Sequence, residues 1–181
     1  MKSMKFAKIQ RFYQATVRAI KKLPTKPWNE IMHTVTILGA PVFVTITVLI
    51  MMIISLSIHK PLIGQVAGLI IVTHIINTIL KLIFRRDRPD TDYAKKILFS
   101  KHSFPSGHSA VGLVTWYSLP LVLSSINVPM IFVLGLTILA PFVIFMIGIS
   151  RVYLGAHYLT DVLAGWLLGI VCMISFILII F

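Results

Sequence analysis

Long apolar stretches constrain the fold of this chain more than any other feature of its sequence. Five of them approach the roughly 20 residues that an α-helix needs to cross a bilayer. Because the backbone N–H and C=O groups of a segment in hydrocarbon must be paired within it, apolar runs of this length form helices. We place the spans at Thr34–Ile58, Leu62–Phe84, Ser109–Ile126, Pro129–Ser150 and Leu159–Phe181. The sequence therefore predicts an all-α, polytopic membrane helix bundle with about five transmembrane helices.

The composition excludes a water-soluble globular domain. Of the 181 residues, 57% are hydrophobic and 12% are charged, whereas soluble domains carry about 25% charged residues. The formal net charge is +12, which on so apolar a chain favours anionic lipid surfaces or phosphorylated substrates over nucleic acid. The single cysteine, Cys172, lies inside an apolar stretch, so neither a disulfide nor a thiolate metal site is expected.

The first 27 residues follow a different pattern. Six positions recur at a helical spacing of three and four residues, and most basic residues fall between them. These positions carry Phe6, Ile9, Tyr13, Thr16, Ile20 and Leu23. The pattern predicts a basic amphipathic helix on the membrane surface at residues 1–27, followed by a transmembrane domain at residues 28–181. A basic tail without regular structure is the alternative.

Three polar clusters lie at the ends of predicted spans. Lys81–Pro89 ends the second span, Phe104–His108 opens the third, and Ser150–Asp161 connects the fourth to the fifth. Polar residues are costly in a bilayer and therefore mark functional sites. Two spans separate the first cluster from the third, and the second cluster shares a loop with the first. All three clusters therefore emerge on one membrane face, where they can converge.

Five residues of these clusters suit a phosphoryl group. Lys81, Arg88 and Arg151 supply cations for its oxygens. Ser106 and Gly107 stand at the start of an apolar helix, where a hydroxyl and unpaired backbone N–H groups can hold an anion. Together they form the electrostatic clamp that phosphoryl transfer requires.

Two histidines and an aspartate complete the set. His108 stands at the same helix start and can give a proton to a leaving oxygen. His157 and Asp161 are four residues apart, so on one face of a helix the carboxylate can fix the imidazole tautomer. The other imidazole nitrogen then faces the phosphate as a nucleophile. Taken singly, these features are more typical of a basic flank, a helix cap or a structural pair than of a catalytic site.

Together the three clusters are similar to a known three-part signature. The spacing Lys-x6-Arg-Pro, Pro-Ser-Gly-His and Ser-Arg-x5-His-x3-Asp resembles that of the type-2 phosphatidic acid phosphatase superfamily. The positions are filled, in order, by Lys81, Arg88, Pro89, Pro105, Ser106, Gly107, His108, Ser150, Arg151, His157 and Asp161. At average residue frequencies such a match arises by chance on the order of once in ten million chains.

The resemblance implies a metal-independent enzyme that needs no cofactor and works through a phosphohistidine. It implies that His157 is the nucleophile, that Asp161 orients it and that His108 is the acid. The phosphate-binding residues that it implies are Lys81, Arg88, Ser106, Gly107 and Arg151. Residues 28–181 are then a transmembrane phosphatase domain. Membrane members of the family usually have six spans, one more than we count.

The resemblance also implies the substrate class, a terminal phosphate monoester on a membrane lipid. The segment Lys26–Glu30 resembles that of bacterial members acting on phosphatidylglycerol phosphate, which is our first expectation. Undecaprenyl pyrophosphate and phosphatidic acid are the alternatives. Two alternatives from other functional classes are a vanadate-dependent haloperoxidase and a binding or transport protein for phosphorylated lipids. The histidines and Asp161 argue against the binding protein, because binding alone needs no nucleophile. The expected partners are the lipid phosphate and membrane lipids, without nucleic acid, and the oligomeric state is not predicted.

Basic residues bear on the sidedness of the predicted site. Of the 17 Lys and Arg residues, all but Lys60 lie on the site's face of the membrane. The positive-inside rule then places the site and the N-terminus in the cytoplasm. Family resemblance argues the reverse, since many members act on the outer face, and the rule weakens where basic residues bind ligands or anionic lipid. We expect a multi-pass cell-membrane protein with a cytoplasmic site.

Two further features predict helix packing. Gly165 and Gly169 form a small-xxx-small pair in the last span, which is typical of a close helix contact within the chain. Thr73, His74 and Asn77 belong to a polar stripe along the second span. This stripe either lines an entrance for a lipid head group or makes hydrogen bonds to neighbouring helices.

Overall fold

The computed structural model describes residues 25–97 and 101–180, and each regular element in these ranges is a helix. The helices are α1 (Thr25–Ile37), α2 (Pro41–Ser57), α3 (Pro61–Phe84), α4 (Asp92–Lys95), α5 (Gly107–Ser125), α6 (Met130–Tyr153) and α7 (Leu159–Ile180). The all-α prediction is confirmed. The predicted interfacial helix at residues 1–27 lies outside the described residues except for its last three, which begin α1.

Four segments of the described chain are long and apolar enough to cross a bilayer. They are Lys26–Ser57, Pro61–Phe84, Met130–Tyr153 and Leu159–Ile180. Each contains most of one predicted span, and the helix ends lie within a few residues of those predicted for α3, α6 and α7. Their outward side chains are strongly exposed, as at Ile138 and Leu178, which is the surface a bilayer would cover.

The third predicted span is α5, which occupies the middle of the bundle. It packs against α3, α6 and α7, and ten of its residues are buried. Because protein rather than lipid surrounds it, α5 can carry Ser109, Thr115 and Ser118 on buried positions. This explains why α5 is less apolar than the four outer segments.

The prediction that the first span is a single helix was wrong. The predicted segment Thr34–Ile58 is broken at residues 38–40, between α1 and α2. Pro41 starts α2, because proline lacks an N–H and clashes with the preceding turn inside a helix. Gly39 lies at the break, where a Cβ would sit 2.8 Å from Ile147 Cγ2 and 3.1 Å from the His108 carbonyl oxygen. Hydropathy does not reveal this break, because its residues are apolar.

Close contact between α5 and α7 sets the geometry of the site. A Cβ on Gly165 would lie 2.5 Å from the Ser106 carbonyl oxygen, and one on Gly169 would lie 2.9 Å from that of Ala110. The two glycines therefore let the α7 backbone approach the first turns of α5, as their spacing predicts. The contact places the beginning of α7 beside the beginning of α5.

Candidate active site

The three polar clusters meet at one end of the bundle. The Ser106 backbone N–H donates to the Asp161 carbonyl oxygen at 2.9 Å, which joins the start of α5 to the first turn of α7. The Ser103 backbone N–H donates to the Arg86 carbonyl oxygen at 2.8 Å, which joins the same loop to the segment after α3. Main-chain hydrogen bonds thus hold the clusters together, and the predicted convergence is observed.

Arg88 and His157 are in direct contact. Arg88 Nη1 lies 3.2 Å from His157 Nε2 and also donates to the Ala156 carbonyl oxygen at 2.9 Å. Since a guanidinium can only donate, this contact requires an unprotonated Nε2 and therefore places the imidazole proton on Nδ1. Burial, reinforced by the charges of Arg151 and Arg88, holds the pKa of His157 well below its usual range. Burial and the charge of Arg151 also lower the pKa of Arg88 to about 10.

Asp161 faces the other nitrogen of the same imidazole. Its Oδ2 lies 3.5 Å from His157 Nδ1, which is longer than a good hydrogen bond. The expectation that the two residues share a helix face was wrong, because His157 lies in the loop two residues before α7. Asp161 is the third residue of α7, and its Oδ2 accepts the Tyr158 backbone N–H at 3.0 Å. The carboxylate thus caps α7 in the manner of a capping box while it faces the histidine.

Arg151 is the most deeply buried of the predicted phosphate-binding cations, with 3% of its surface exposed. Its Nη1 donates to Thr36 Oγ1 at 2.5 Å and lies 3.5 Å from the Tyr93 hydroxyl. Its guanidinium carbon also lies 5.7 Å from the centre of the Tyr93 ring. Sequence analysis missed Thr36 and Tyr93, which come from α1 and α4, far from Arg151 along the chain.

Lys81 and His108 complete the charged part of the site. Lys81 lies in the last turn of α3 and donates from Nζ to the His102 carbonyl oxygen at 3.0 Å. His108 is the second residue of α5, and the charges of Arg151, Arg88 and Lys81 all act on it. These positive charges disfavour the protonated imidazole that an acid needs, and the negative charge of a bound phosphate would offset them.

The loop before α5 has a backbone suited to an anion. Ser106 is the N-cap of α5, but its hydroxyl makes no capping bond and instead accepts from Ser109 Oγ at 2.9 Å. The first N–H groups of α5 are therefore available to an anion. Asn77 of the polar stripe donates to the Pro105 carbonyl oxygen at 3.4 Å, and a Cβ on Gly107 would lie 3.1 Å from Asn77 Oδ1. For Asn77, this contact favours hydrogen bonding within the bundle over an entrance for a lipid head group. Its partner is the loop before α5.

Arg86 is a further site residue that sequence analysis missed. Its Nη1 donates to Asp161 Oδ1 at 2.8 Å and to Thr160 Oγ1 at 2.7 Å. The sequence offers Arg85 and Arg86 as equivalent members of a basic flank, and no local signal separates them. Arg85 is exposed, has a left-handed backbone with φ of 45° and ends α3. The helix end thus sends one arginine outwards and the other into the site.

A bundle of apolar helices with a buried histidine among three cations has the architecture of an integral-membrane phosphatase. Residues 62–181 match the PAP2 superfamily, and the chain belongs to this superfamily. Phosphatidylglycerophosphatase B of Bacillus subtilis (strain 168) is 36% identical over 168 residues, which cover 87% of this chain and 79% of the relative.

Solved structures show the same fold. The crystal structure of a transmembrane PAP2-type phosphatidylglycerolphosphate phosphatase from Bacillus subtilis is similar with a TM-score of 0.79 and 28% identity. The match covers 93% of this chain and 84% of that chain. The crystal structure of LpxE from Aquifex aeolicus is similar with a TM-score of 0.63 and 24% identity, over 89% of this chain and 92% of that one. The protein is a membrane phosphatase of this fold.

Proposed function

We propose that the protein removes the terminal phosphate monoester of a membrane lipid through a phosphohistidine at His157, and that the lipid is phosphatidylglycerol phosphate. The observation that carries this proposal is the contact between Arg88 Nη1 and His157 Nε2. In this contact the Nε2 lone pair of a neutral imidazole accepts from Arg88, a cation to which a bound phosphate would bind in its place, and Asp161 faces the opposite nitrogen.

The reaction follows from these positions. The Nε2 lone pair of His157 attacks phosphorus, the bond from phosphorus to the lipid oxygen breaks, and that oxygen takes a proton from His108. Lys81, Arg88 and Arg151 balance the negative charge on the phosphoryl oxygens. Water then attacks the phosphohistidine, the N–P bond breaks, and His108 takes the proton of the water. Inorganic phosphate and the dephosphorylated lipid are the products.

The Bacillus subtilis relative supports the choice of lipid, since its name specifies phosphatidylglycerophosphatase activity. The test is a comparison of kcat/KM for phosphatidylglycerol phosphate, undecaprenyl pyrophosphate and phosphatidic acid with purified protein in detergent. We expect phosphatidylglycerol phosphate to give the highest value. A higher value for phosphatidic acid would reassign the lipid but keep monoester hydrolysis, and a higher value for undecaprenyl pyrophosphate would change the cleaved bond to a phosphoanhydride. Absence of phosphate release from all three would contradict the function.

We further propose that hydrolysis needs no metal ion. Arginine and lysine provide the positive charge that a metal would supply in other phosphatases. Within residues 25–97 and 101–180, no three His, Cys, Asp or Glu side chains are grouped so that they could hold a metal. Activity should therefore persist in excess chelator. Loss of activity that an added divalent ion restores would contradict this proposal.

The active site is proposed to face the cytoplasm, on the basis of the distribution of basic residues. Lys101 is exposed on the site's side of the bundle, whereas Lys60 is exposed before α3, at the opposite end of that helix from Lys81. Ser103 is fully buried and would be a poor position for a labelled cysteine. In a Cys172→Ala background, an impermeant thiol reagent on intact cells should label Lys60→Cys but not Lys101→Cys. The reverse pattern would place the site outside.

A further inference from the structure

We infer that Arg86 is a positioning residue that fixes the carboxylate of Asp161 beside His157. The inference rests on the proposed phosphohistidine function, and it adds a residue outside the three-part signature. Its basis is a direct ion pair, in which Arg86 Nη1 lies 2.8 Å from Asp161 Oδ1. The Asp161 side chain has no exposed surface, and that of Arg86 is 22% exposed.

A buried carboxylate needs partners for both of its oxygens, because an unpaired buried charge is strongly unfavourable. Oδ2 of Asp161 accepts the Tyr158 backbone N–H and faces His157 Nδ1. Oδ1 has Arg86 as its cation. With Oδ1 held in this way, the carboxylate cannot turn without losing an ion pair, and Oδ2 remains directed towards the imidazole.

Arg86 is itself held at three points. Its guanidinium carbon lies 4.2 Å from the centre of the Tyr158 ring, and its Nη1 also donates to Thr160 Oγ1. Its carbonyl oxygen accepts from the backbone N–H and the hydroxyl of Ser103, at 2.8 and 3.2 Å. The backbone of Arg86, the face of its guanidinium and one of its donor nitrogens are therefore already held. Arg86 loses little further conformational freedom when it pairs with the carboxylate.

The ion pair also bears on the charge balance of the site. Lys81 and Arg88 both interact electrostatically with Asp161, and both belong to the proposed phosphate clamp. If Arg86 did not satisfy the carboxylate, Asp161 would be drawn towards these cations. Arg86 thus keeps the carboxylate of Asp161 directed towards His157, so that Lys81 and Arg88 remain able to bind phosphate.

The test compares Arg86→Gln with Arg85→Gln, which removes the same charge from the neighbouring exposed position. Arg86→Gln should lower kcat by roughly 10–100-fold, as loss of orienting partners does at other sites. Its KM and its inhibition constant for inorganic phosphate should stay within about 2-fold of wild type. Arg86→Lys should recover part of kcat, and Arg85→Gln should resemble wild type.

A double-mutant cycle shows whether Arg86 acts through Asp161. In an Asp161→Asn background, Arg86→Gln should cause no further loss of kcat, because residues that act as a unit are not additive. Multiplicative losses, or a raised KM with unchanged kcat, would overturn the inference. If Arg86→Gln does not fold, Thr160→Val serves instead, because it removes a second partner of Arg86 Nη1. We expect Thr160→Val to cause a smaller loss of kcat with an unchanged KM. An unchanged kcat would contradict the inference. An inactive wild type, or an active His157→Ala variant, would instead refute the proposed function.

Discussion

Arg88 Nη1 lies 3.2 Å from His157 Nε2, so a cation of the proposed phosphate clamp contacts the nitrogen that we propose as nucleophile. The contact fixes the tautomer, because arginine has no acceptor to offer. It also places the phosphate-binding charge within one contact of the attacking atom. A phosphate that took the place of Nε2 as the acceptor of Arg88 would lie next to the Nε2 lone pair, which is the positioning that phosphoryl transfer requires.

Loss of the nucleophile should abolish turnover. We expect no phosphate release above background from His157→Ala, because the covalent intermediate cannot form. Asp161→Asn keeps the shape but removes control of the tautomer, and a loss of about 10³–10⁴-fold in kcat is expected. Phosphate release from lipid phosphate measures both variants. Near-wild-type activity of His157→Ala would contradict the mechanism.

The role of His108 as acid predicts a dependence on the leaving group. A lipid alkoxide needs a proton as it departs, whereas a nitrophenolate is stable without one. His108→Ala should therefore lose much more activity on lipid phosphate than on nitrophenyl phosphate. Both substrates are followed by phosphate release with the same protein preparation. Equal losses on both would remove His108 from this role.

The lowered pKa of His157 predicts that its imidazole takes up a proton only at a lower pH than a free histidine, whose pKa is about 6.5. Because the unfolded chain would take up this proton first, the contribution of His157 to stability is complete above about pH 6.5 and falls as the pH drops below it. NMR titration of histidine-labelled protein measures the pKa, with His157→Gln to assign the signal. A midpoint at or above 6.5 would contradict the expectation.

Thr36 should support phosphate binding through Arg151. A hydrogen bond to a charged group contributes about 1.5 kcal/mol or more, so Thr36→Val should lower kcat/KM by about tenfold. Thr34→Val is the matched control, since its exposed hydroxyl bonds only within α1, to the Glu30 carbonyl oxygen at 3.0 Å. Equal kcat/KM values for the two variants would show that Thr36 does not position Arg151.

Packing at Gly165 should be needed for both stability and activity. An added methyl group would lie 2.5 Å from the Ser106 carbonyl oxygen, so Gly165→Ala must move α7 or the loop before α5. We expect about 1–3 kcal/mol of destabilisation, seen as a lower thermal unfolding midpoint, together with reduced activity. Gly135→Ala is the control, because nothing lies within 4 Å of its Cβ position. An unchanged midpoint for Gly165→Ala would contradict the close approach.

The parts of this molecule that sequence analysis predicted are those with a local chemical signature. Long apolar runs identify the helices, and the rare polar residues at their ends identify His157, Arg88 and their neighbours. The convergence of the clusters followed from counting spans. These inferences needed only the pattern along the chain and the cost of polar groups in a bilayer.

The parts that were not predicted depend on contacts between distant residues. The break before Pro41 is the exception, because the proline is a local signal, but the break is apolar and Gly39 within it packs against α5 and α6. Thr36 approaches Arg151 from 115 residues away. Arg86 differs from Arg85 only in the direction taken where α3 ends. No local pattern carries the positions of Thr36 and Arg86, because their contacts arise only when the helices assemble.

The most direct test of the account is to trap the covalent intermediate. Protein mixed with lipid whose terminal phosphate is radiolabelled is quenched rapidly in alkali, where a phosphohistidine survives, and the labelled peptide is identified. The account predicts label on the imidazole of His157, lost in acid and absent from His157→Ala. Label on another residue, or no protein-bound phosphate while the wild type turns over, would contradict it.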